Sequence, residues 1–367
     1  MTDRRSRRLG GIGKRPRTPS RRRSVVFAVV WCLVGLVVLA GGGLGFVYFK
    51  LNGNLNGIDI NAQLGNGRPK NVDNGSEDIL VLGSDSRSGA NAGYGGSADG
   101  TARSDTAMIV HVYKGHKKAS VVSVPRDTLI QRPACTDLKG KTVPAQREAM
   151  FNSAYEAGGP ACTVKTVEKM SGVRMDHFIE VDFTGFKKLI DQLGGVKITT
   201  TRAIDDPKSH LKLAKGTHTL HGEQALGLVR TRKTIGDGSD LGRIQLQQAF
   251  VKALISQVKS VGVFSNPKKL YDLAESATEA ITPDSGLDSV EKLIGFGGGL
   301  KDLSAGNVRM VTLPVRYDPA DPNRVLPLHK ASQQVWKALR QDRPIPASAT
   351  RDSEGDRGTA HGVVTGG

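Results

Sequence analysis

Ile79-Leu80-Val81-Leu82-Gly83-Ser84-Asp85-Ser86-Arg87 joins a short apolar run to a polar turn. Four consecutive aliphatic residues that stop at a glycine read as a buried strand. A glycine-rich loop, 84–100, follows. Thr106 to Tyr113 and Lys118 to Val124 then flank Lys114-Gly115-His116, which reads as a β-hairpin. Further along, helical and strand patterns alternate. Asp182 is placed to cap a helix through Leu193, and Gly194-Gly195 to stop it. Val196 to Thr200 is rich in β-branched residues and predicts a strand. Leu241 to Val258 predicts the clearest amphipathic helix, with further helices over Pro267 to Ala280, Leu287 to Leu303 and Ala331 to Leu339, and a late strand over Val308 to Leu313. There is no internal repeat. This mixture predicts one α/β or α+β domain over roughly 77–342.

The flanks have a different character. The net charge of +17 would suit a nucleic-acid binder, yet ten of the positive charges precede residue 24, against Asp3 alone. A basic tail without apolar periodicity is expected to be disordered and cytoplasmic, over 1–24. Val25 to Phe49 then carries no Asp, Glu, Lys or Arg. As a helix it would extend about 37 Å, more than a hydrocarbon core of roughly 30 Å. Basic residues stay inside, so the body is expected outside the cell membrane. Val38-Leu39-Ala40 is a weak cleavage signal and the apolar run continues past it, which favours an uncleaved anchor over a signal peptide. Residues 50–76, rich in Asn and Gly, read as an extracellular linker, and 343–367, small and polar, as a disordered tail. Cys32 lies inside the span; Cys135 and Cys162 lie in the body. An exported location favours a disulfide between the last two over free thiols, and no metal-type spacing accompanies them.

Asp and Arg concentrate in a few segments: Gly83 to Arg87, Arg103-Ser104-Asp105-Thr106 and Pro125-Arg126-Asp127-Thr128, the last two at one end of the predicted hairpin. In Val229-Arg230-Thr231-Arg232, an extended backbone would turn both arginines to one side, as a comb of two guanidinium groups. Asp240, Arg243 and Gln247 share the helical stripe of Ile244, Val251, Leu254 and Val258, so polar groups begin a face that otherwise enters the core. Either a buried structural ion pair or a polar site at the core's edge satisfies them. Many arginines with a few aspartates, and no ordered Ser-His-Asp set, suit phosphate chemistry. Guanidinium forks match phosphate oxygens, and hard carboxylates hold Mg²⁺.

Taken in order, Gly-Ser-Asp85-Ser-Arg87, Arg103-Ser-Asp105-Thr, Val-Pro-Arg126-Asp127-Thr, Phe151-Asn152-Ser153-Ala154-Tyr155, Asp176-His177-Phe178, Leu-His-Gly-Glu-Gln-Ala-Leu (220–226), Val-Arg230-Thr-Arg232 and Asp240-Leu-Gly-Arg243-Ile-Gln-Leu-Gln247-Gln resemble the LytR-CpsA-Psr family over about 77–260, and more loosely to about 340. The resemblance implies an α/β/α sandwich with a central mixed sheet, preceded by one transmembrane helix, and a groove for a polyprenyl chain. It implies a Mg²⁺-dependent phosphotransferase, with Mn²⁺ as a substitute. The enzyme would move a glycopolymer from a polyprenyl-pyrophosphate carrier onto peptidoglycan through a phosphodiester. By motif position, Asp85 and Asp105 would bind the metal. Arg87, Arg103, Arg126, Arg230, Arg232, Arg243 and Gln247 would hold the pyrophosphate, and Arg126, Asp240 and Arg243 would act at the reacting centre. Partners would be the lipid-linked polymer, peptidoglycan and membrane lipid, without nucleic acid. Asp127 and Asp240 both remain candidates for the general base. The same arginines would serve an exported pyrophosphate hydrolase with water as acceptor. A non-catalytic wall-binding module is the third reading.

Overall fold

A computed structural model describes residues 42–84, 104–137, 139–232, 239–261, 267–357 and 363–366, with only the backbone of Asp105. Six strands form the central sheet, in the order β13-β8-β1-β2-β3-β14. They are β1 (Glu77–Ser84), β2 (Ser104–Val112), β3 (Ala119–Ser123), β8 (His177–Asp182), β13 (Ile281–Pro283) and β14 (Val308–Thr312). β2 pairs antiparallel with β1 and β3, while β8 and β14 run parallel to β1 and β3, so the sheet is mixed. The apolar run of β1 is buried on alternating faces as the pleat dictates. Leu80 and Leu82 join a large core with Ile109, Val122, Phe178 and Trp336, while Val81 faces the other way with Met108, Val110 and Val121. Each fully buried Leu or Ile contributes about 1.5–3 kcal/mol.

Helices cover the large core, chiefly α3 (Ser153–Ser171) and α9 (His329–Arg340), beside the short α2 (Asn61–Leu64) and the helical residues 42–54, α1. A second core joins α4 (Phe183–Gln192), α5 (Gly222–Arg230) and α6 (Asp240–Ser260) to β9 (Val196–Thr200), β12 (Gly216–Leu220) and the ribbon β10 (Ile204–Asp206)–β11 (Leu211–Leu213). α7 (Pro267–Ala280), α8 (Val290–Gly299) and α10 (Glu354–Arg357) complete the helices. Asp182 caps α4 by accepting from the Gly185 amide, and Gly194 and Gly195 adopt positive φ at its end, as expected. The predicted hairpin, β9, α7 and α9 are likewise present, and α8 occupies the middle of the predicted 287–303 helix.

Cys135 and Cys162 are disulfide-bonded, with Cα atoms 5.4 Å apart. The bond ties α3 to β5 (Cys135–Thr136), which pairs with β6 (Thr142–Val143) beside the ribbon of β4 (Leu129–Arg132) and β7 (Gln146–Met150). Gly158 makes room for it, since a Cβ there would meet Cys162 Cβ and the Thr136 carbonyl at 2.9 Å. With 27 residues between the bonded positions, replacing both cysteines by serine should lower stability by about 3.5 kcal/mol on the chain-entropy model. Chemical denaturation of the two proteins measures it.

Several expectations need correction. The supposed linker is packed: Leu51, Leu55, Ile60 and Leu64 are buried, and Arg68 pairs with buried Glu168 at 2.6 Å. The supposed disordered tail is largely ordered. Ile345, Ala349 and Ser353 are buried, and β17 (Val364–Gly366) pairs with β9. A short polar segment shows no pattern of its own, yet it satisfies an edge strand that would otherwise expose its amides. That tail and both sheets surround the first half of α6, so its predicted amphipathic face is lost: Leu241 to Gln248 are all buried. The final helix–strand hairpin pair is β15 (Val315–Tyr317) with β16 (Val325–Pro327). Most of the predicted 25–49 span lies outside the described residues, among which no helix is long and apolar enough to cross a membrane.

At the sheet end away from Ser84, buried His111 lies 2.9 Å from Asp78 Oδ1 and 3.1 Å from Asp342 Oδ1. Burial pushes the imidazole's pKa down, but the two carboxylates outweigh it and hold the pKa above its ordinary value. Burial also raises Asp78. Both groups bind protons more tightly folded than unfolded, so their stabilisation is full below about pH 6.5 and fades as pH rises through the folded value of His111. His111→Leu should destabilise by about 3–5 kcal/mol near pH 6, because it leaves buried carboxylates unpaired, and by less near pH 9. Urea unfolding at the two pH values checks the sign.

Candidate functional site

The hairpin, α5 and α6 bring their ends together beside the C-terminal end of β3. The Pro125-Arg126-Asp127-Thr128 turn is pinned at both sides. The Thr128 hydroxyl donates to the Pro125 carbonyl at 2.6 Å, and the Asn152 amide donates to the Arg126 carbonyl at 3.0 Å. Ser239 caps α6 by accepting from the Leu241 amide at 3.3 Å. That helix N-terminus supplies unpaired amides and a partial positive charge, which suits an anion.

Asp240 opens α6 and sits between two guanidinium groups. Arg243 Nη2 lies 2.5 Å from Asp240 Oδ1, and Arg126 Nε lies 3.6 Å from the same oxygen. Arg126 Nε is also 3.4 Å from Asp127 Oδ2. The Asp240 and Arg243 side chains are only 10% and 3% exposed. Both readings of this stripe therefore hold at once, because the buried ion pair forms part of the wall of a polar cavity. The cavity, about 280 Å³, is lined by Arg126, Asp127, Arg232, Asp240, Tyr317 and Arg324, among others. Burial pushes the Asp127 carboxyl up, against the pull of Arg126.

The comb of Arg230 and Arg232 is not an extended segment. Arg230 is the last residue of α5, and the chain turns extended only at Thr231. Buried Thr231 anchors the turn by donating to the Gly227 carbonyl at 2.9 Å, and the Arg232 amide donates to Asp206 at 2.9 Å. The helix end separates the two forks. Arg232 lines the cavity, whereas the Arg230 guanidinium lies 5.5 Å from the centre of the Phe183 ring. Gln247 also differs from expectation. Its amide donates to Thr106 Oγ1 and to the Val229 carbonyl, both at 2.9 Å, so it braces the end of α5 against β2.

Asp85, Arg87 and Arg103 lie outside the described residues, as does the Asp105 side chain. The backbone register is nonetheless informative. Gly83 pairs with Thr106 and Ser84 with Ser104, so Asp105 is the extra residue of a β-bulge. Next to Ser84, Glu180 accepts from the Tyr155 hydroxyl at 2.8 Å, and burial raises its pKa. Glu180, Tyr317 and Arg324 escaped the sequence reading. A lone acid inside an apolar strand was the available signal for Glu180, while nothing in spacing ties residues 317–324 to Arg126.

Beyond this polar end, one face of the sheet is incompletely covered. Val81, Val110, Val251, Ile255, Leu303 and Met310 pack there only partly buried, and α8 has no buried residue.

The LytR_cpsA_psr family model matches residues 47–341. The cell wall biosynthesis protein LcpA of Corynebacterium glutamicum is 30% identical over 365 residues, covering 90% of this chain and 69% of that protein. The polyisoprenyl-teichoic acid–peptidoglycan teichoic acid transferase TagT of Bacillus subtilis is 30% identical over 326 residues, covering 86% and 93%. A solved structure of TagT with bound octaprenyl pyrophosphate lipid superimposes with a TM-score of 0.52 at 27% identity, covering 75% of this chain and 94% of that one.

Proposed function

The chain belongs to the LytR-CpsA-Psr family, and we propose that it transfers a glycopolymer from a polyprenyl-pyrophosphate carrier to a peptidoglycan hydroxyl, forming a phosphodiester. The observation that carries this reading is the convergence of Arg126, Arg232 and Arg243 at the N-terminus of α6, around a polar cavity and next to a partly covered apolar sheet face. Arginine forks neutralise phosphate oxygens, and the apolar face suits a prenyl chain. Phosphoryl transfer asks for little more than positioning and charge neutralisation.

Asp85 and Asp105 are the proposed Mg²⁺ ligands. Asp85 follows Ser84 at the end of β1, and Asp105 is the bulge residue on its partner strand, so both belong to one corner of the sheet. Ser84, Tyr155 and Glu180 make the described surroundings rich in oxygen, as a hard cation prefers. Bound there, the cation would offset charge on the phosphates. The chain is proposed to sit in the cell membrane by its 25–49 segment, with its basic N-terminus inside and its catalytic body outside.

The test is transfer by the full chain in lipid vesicles, from a polyprenyl-pyrophosphate glycan to peptidoglycan oligomers. A phosphodiester-linked product that disappears with a chelator, returns with Mg²⁺ and is absent for Asp105→Ala is the expected result. Release of phosphorylated glycan to water alone would replace the transferase by a hydrolase.

A further inference from the structure

The cavity beside Arg126 and the apolar sheet face lie on opposite sides of the same sheet end. Leu241, Tyr317 and Val325, which border the cavity, belong to or pack against the large core that holds Leu80, Leu82 and Ile109. Val81, Val110, Val251 and Ile255 belong to the other face. α6 connects the two, with Leu241 in the first cluster and Val251 and Ile255 in the second. A phosphorus held by Arg126, Arg232 and Arg243 therefore has a prenyl-compatible surface on one side and a polar cavity on the other.

Displacement at phosphorus places the attacking and leaving oxygens roughly in line. The leaving group here is the prenyl phosphate, so the acceptor must approach from the side away from the lipid. We propose that this cavity is the acceptor site, taking a saccharide that carries a negative charge near its reacting hydroxyl, with Asp127 receiving the hydroxyl proton and Arg324 reading the charge. This rests on the transfer reading above. The acceptor oxygen forms a bond to the sugar-linked phosphorus. The bond from that phosphorus to the bridging oxygen breaks, and its electron pair leaves with the prenyl phosphate. The proton passes to the Asp127 carboxylate.

The assignment of roles follows from the contacts. Asp240 is held by Arg243 at 2.5 Å, which stabilises its charged form and fixes it in the wall. Asp127, 20% exposed, borders the cavity, and its burial favours proton uptake. Arg324 sits on the connection between β15 and β16, held by its own turn. Its amide donates to the Asp321 carbonyl at 2.9 Å, and its carbonyl accepts from the Asp318 amide at 3.0 Å. A preorganised loop places its guanidinium at the cavity at little ordering cost. The volume, about 280 Å³, is near the low end of small-molecule sites and fits a sugar unit rather than a polymer.

The experiment varies acceptor and donor separately with the full chain in vesicles. Arg324→Ala should raise the KM for a carboxylate-bearing glycan oligomer about tenfold or more, and less for the same oligomer with that carboxylate amidated. Arg324→Lys should recover part of it, and Kd for a fluorescent polyprenyl-pyrophosphate donor should stay within about twofold. Asp127→Asn should lower kcat by about 10²–10⁴-fold with donor affinity retained, and should remove the rise of kcat with pH at its acidic limb. Equal weakening of donor and acceptor by Arg324→Ala would make the cavity part of the donor site and overturn the proposal, as would unchanged kinetics in both variants. Wild-type protein that only hydrolyses the donor would instead overturn the transfer reading itself.

Discussion

Arg243→Ala is expected to lower transfer by about 10²–10³-fold and to destabilise the fold by about 3–5 kcal/mol. Both effects have one origin. Arg243 is 3% exposed and pairs with Asp240, itself 10% exposed. Removing the guanidinium leaves a nearly buried carboxylate whose remaining cation is Arg126, now 3.6 Å away. Arg126 would be drawn to it and away from the donor phosphate, so the site would lose one fork directly and part of a second. Asp240→Asn with Arg243→Gln should recover much of the stability, because two neutral amides can bond each other, and little of the rate. Denaturation midpoints and single-turnover transfer separate the two. Full activity in a folded Arg243→Ala protein would make the pair a structural strut alone.

Arg232→Ala should weaken donor binding or turnover by roughly 10–150-fold, the value of one charge-assisted contact. Arg232→Lys should recover only part, since lysine keeps the charge without the planar fork. Arg230→Ala should cost less. Its guanidinium lies over Phe183, and such a contact is worth about 0.5–2 kcal/mol, or roughly 2- to 30-fold. Ranking Arg232 above Arg230 follows from the helix ending at Arg230, where a strand would have made the two equivalent. Donor titration of the three variants decides it; a larger loss at Arg230 than at Arg232 would reverse the placement.

The local rules served well wherever one segment's own chemistry sufficed. The β1 run, the Gly115 hairpin, the Asp182 cap with its glycine stop, and the α7 pattern all appear at or near their expected bounds. The pairing of Cys135 with Cys162 could be anticipated because an exported chain holds few alternatives for two thiols. The inward stripe of Asp240, Arg243 and Gln247 was likewise visible, since helical period assigns residues to faces.

Period says which side chains share a face, but the partners they meet there come from distant segments. Gln247 braces Val229 and Thr106, separated from it by 18 and 141 residues, and this made a strut of a residue expected at the phosphate. Arg126, Arg232, Asp240, Tyr317 and Arg324 share one cavity only because the sheet, α6 and the β15–β16 pair meet at that corner. The C-terminal segment, patternless alone, became ordered because β9 offered it a free edge. Sequence thus determined the elements, the disulfide and the family's phosphate-directed residues. Tertiary structure decided which polar groups were bound to each other and which faced the cavity, because buried hydrogen-bonding groups must be satisfied by whatever packing brings near.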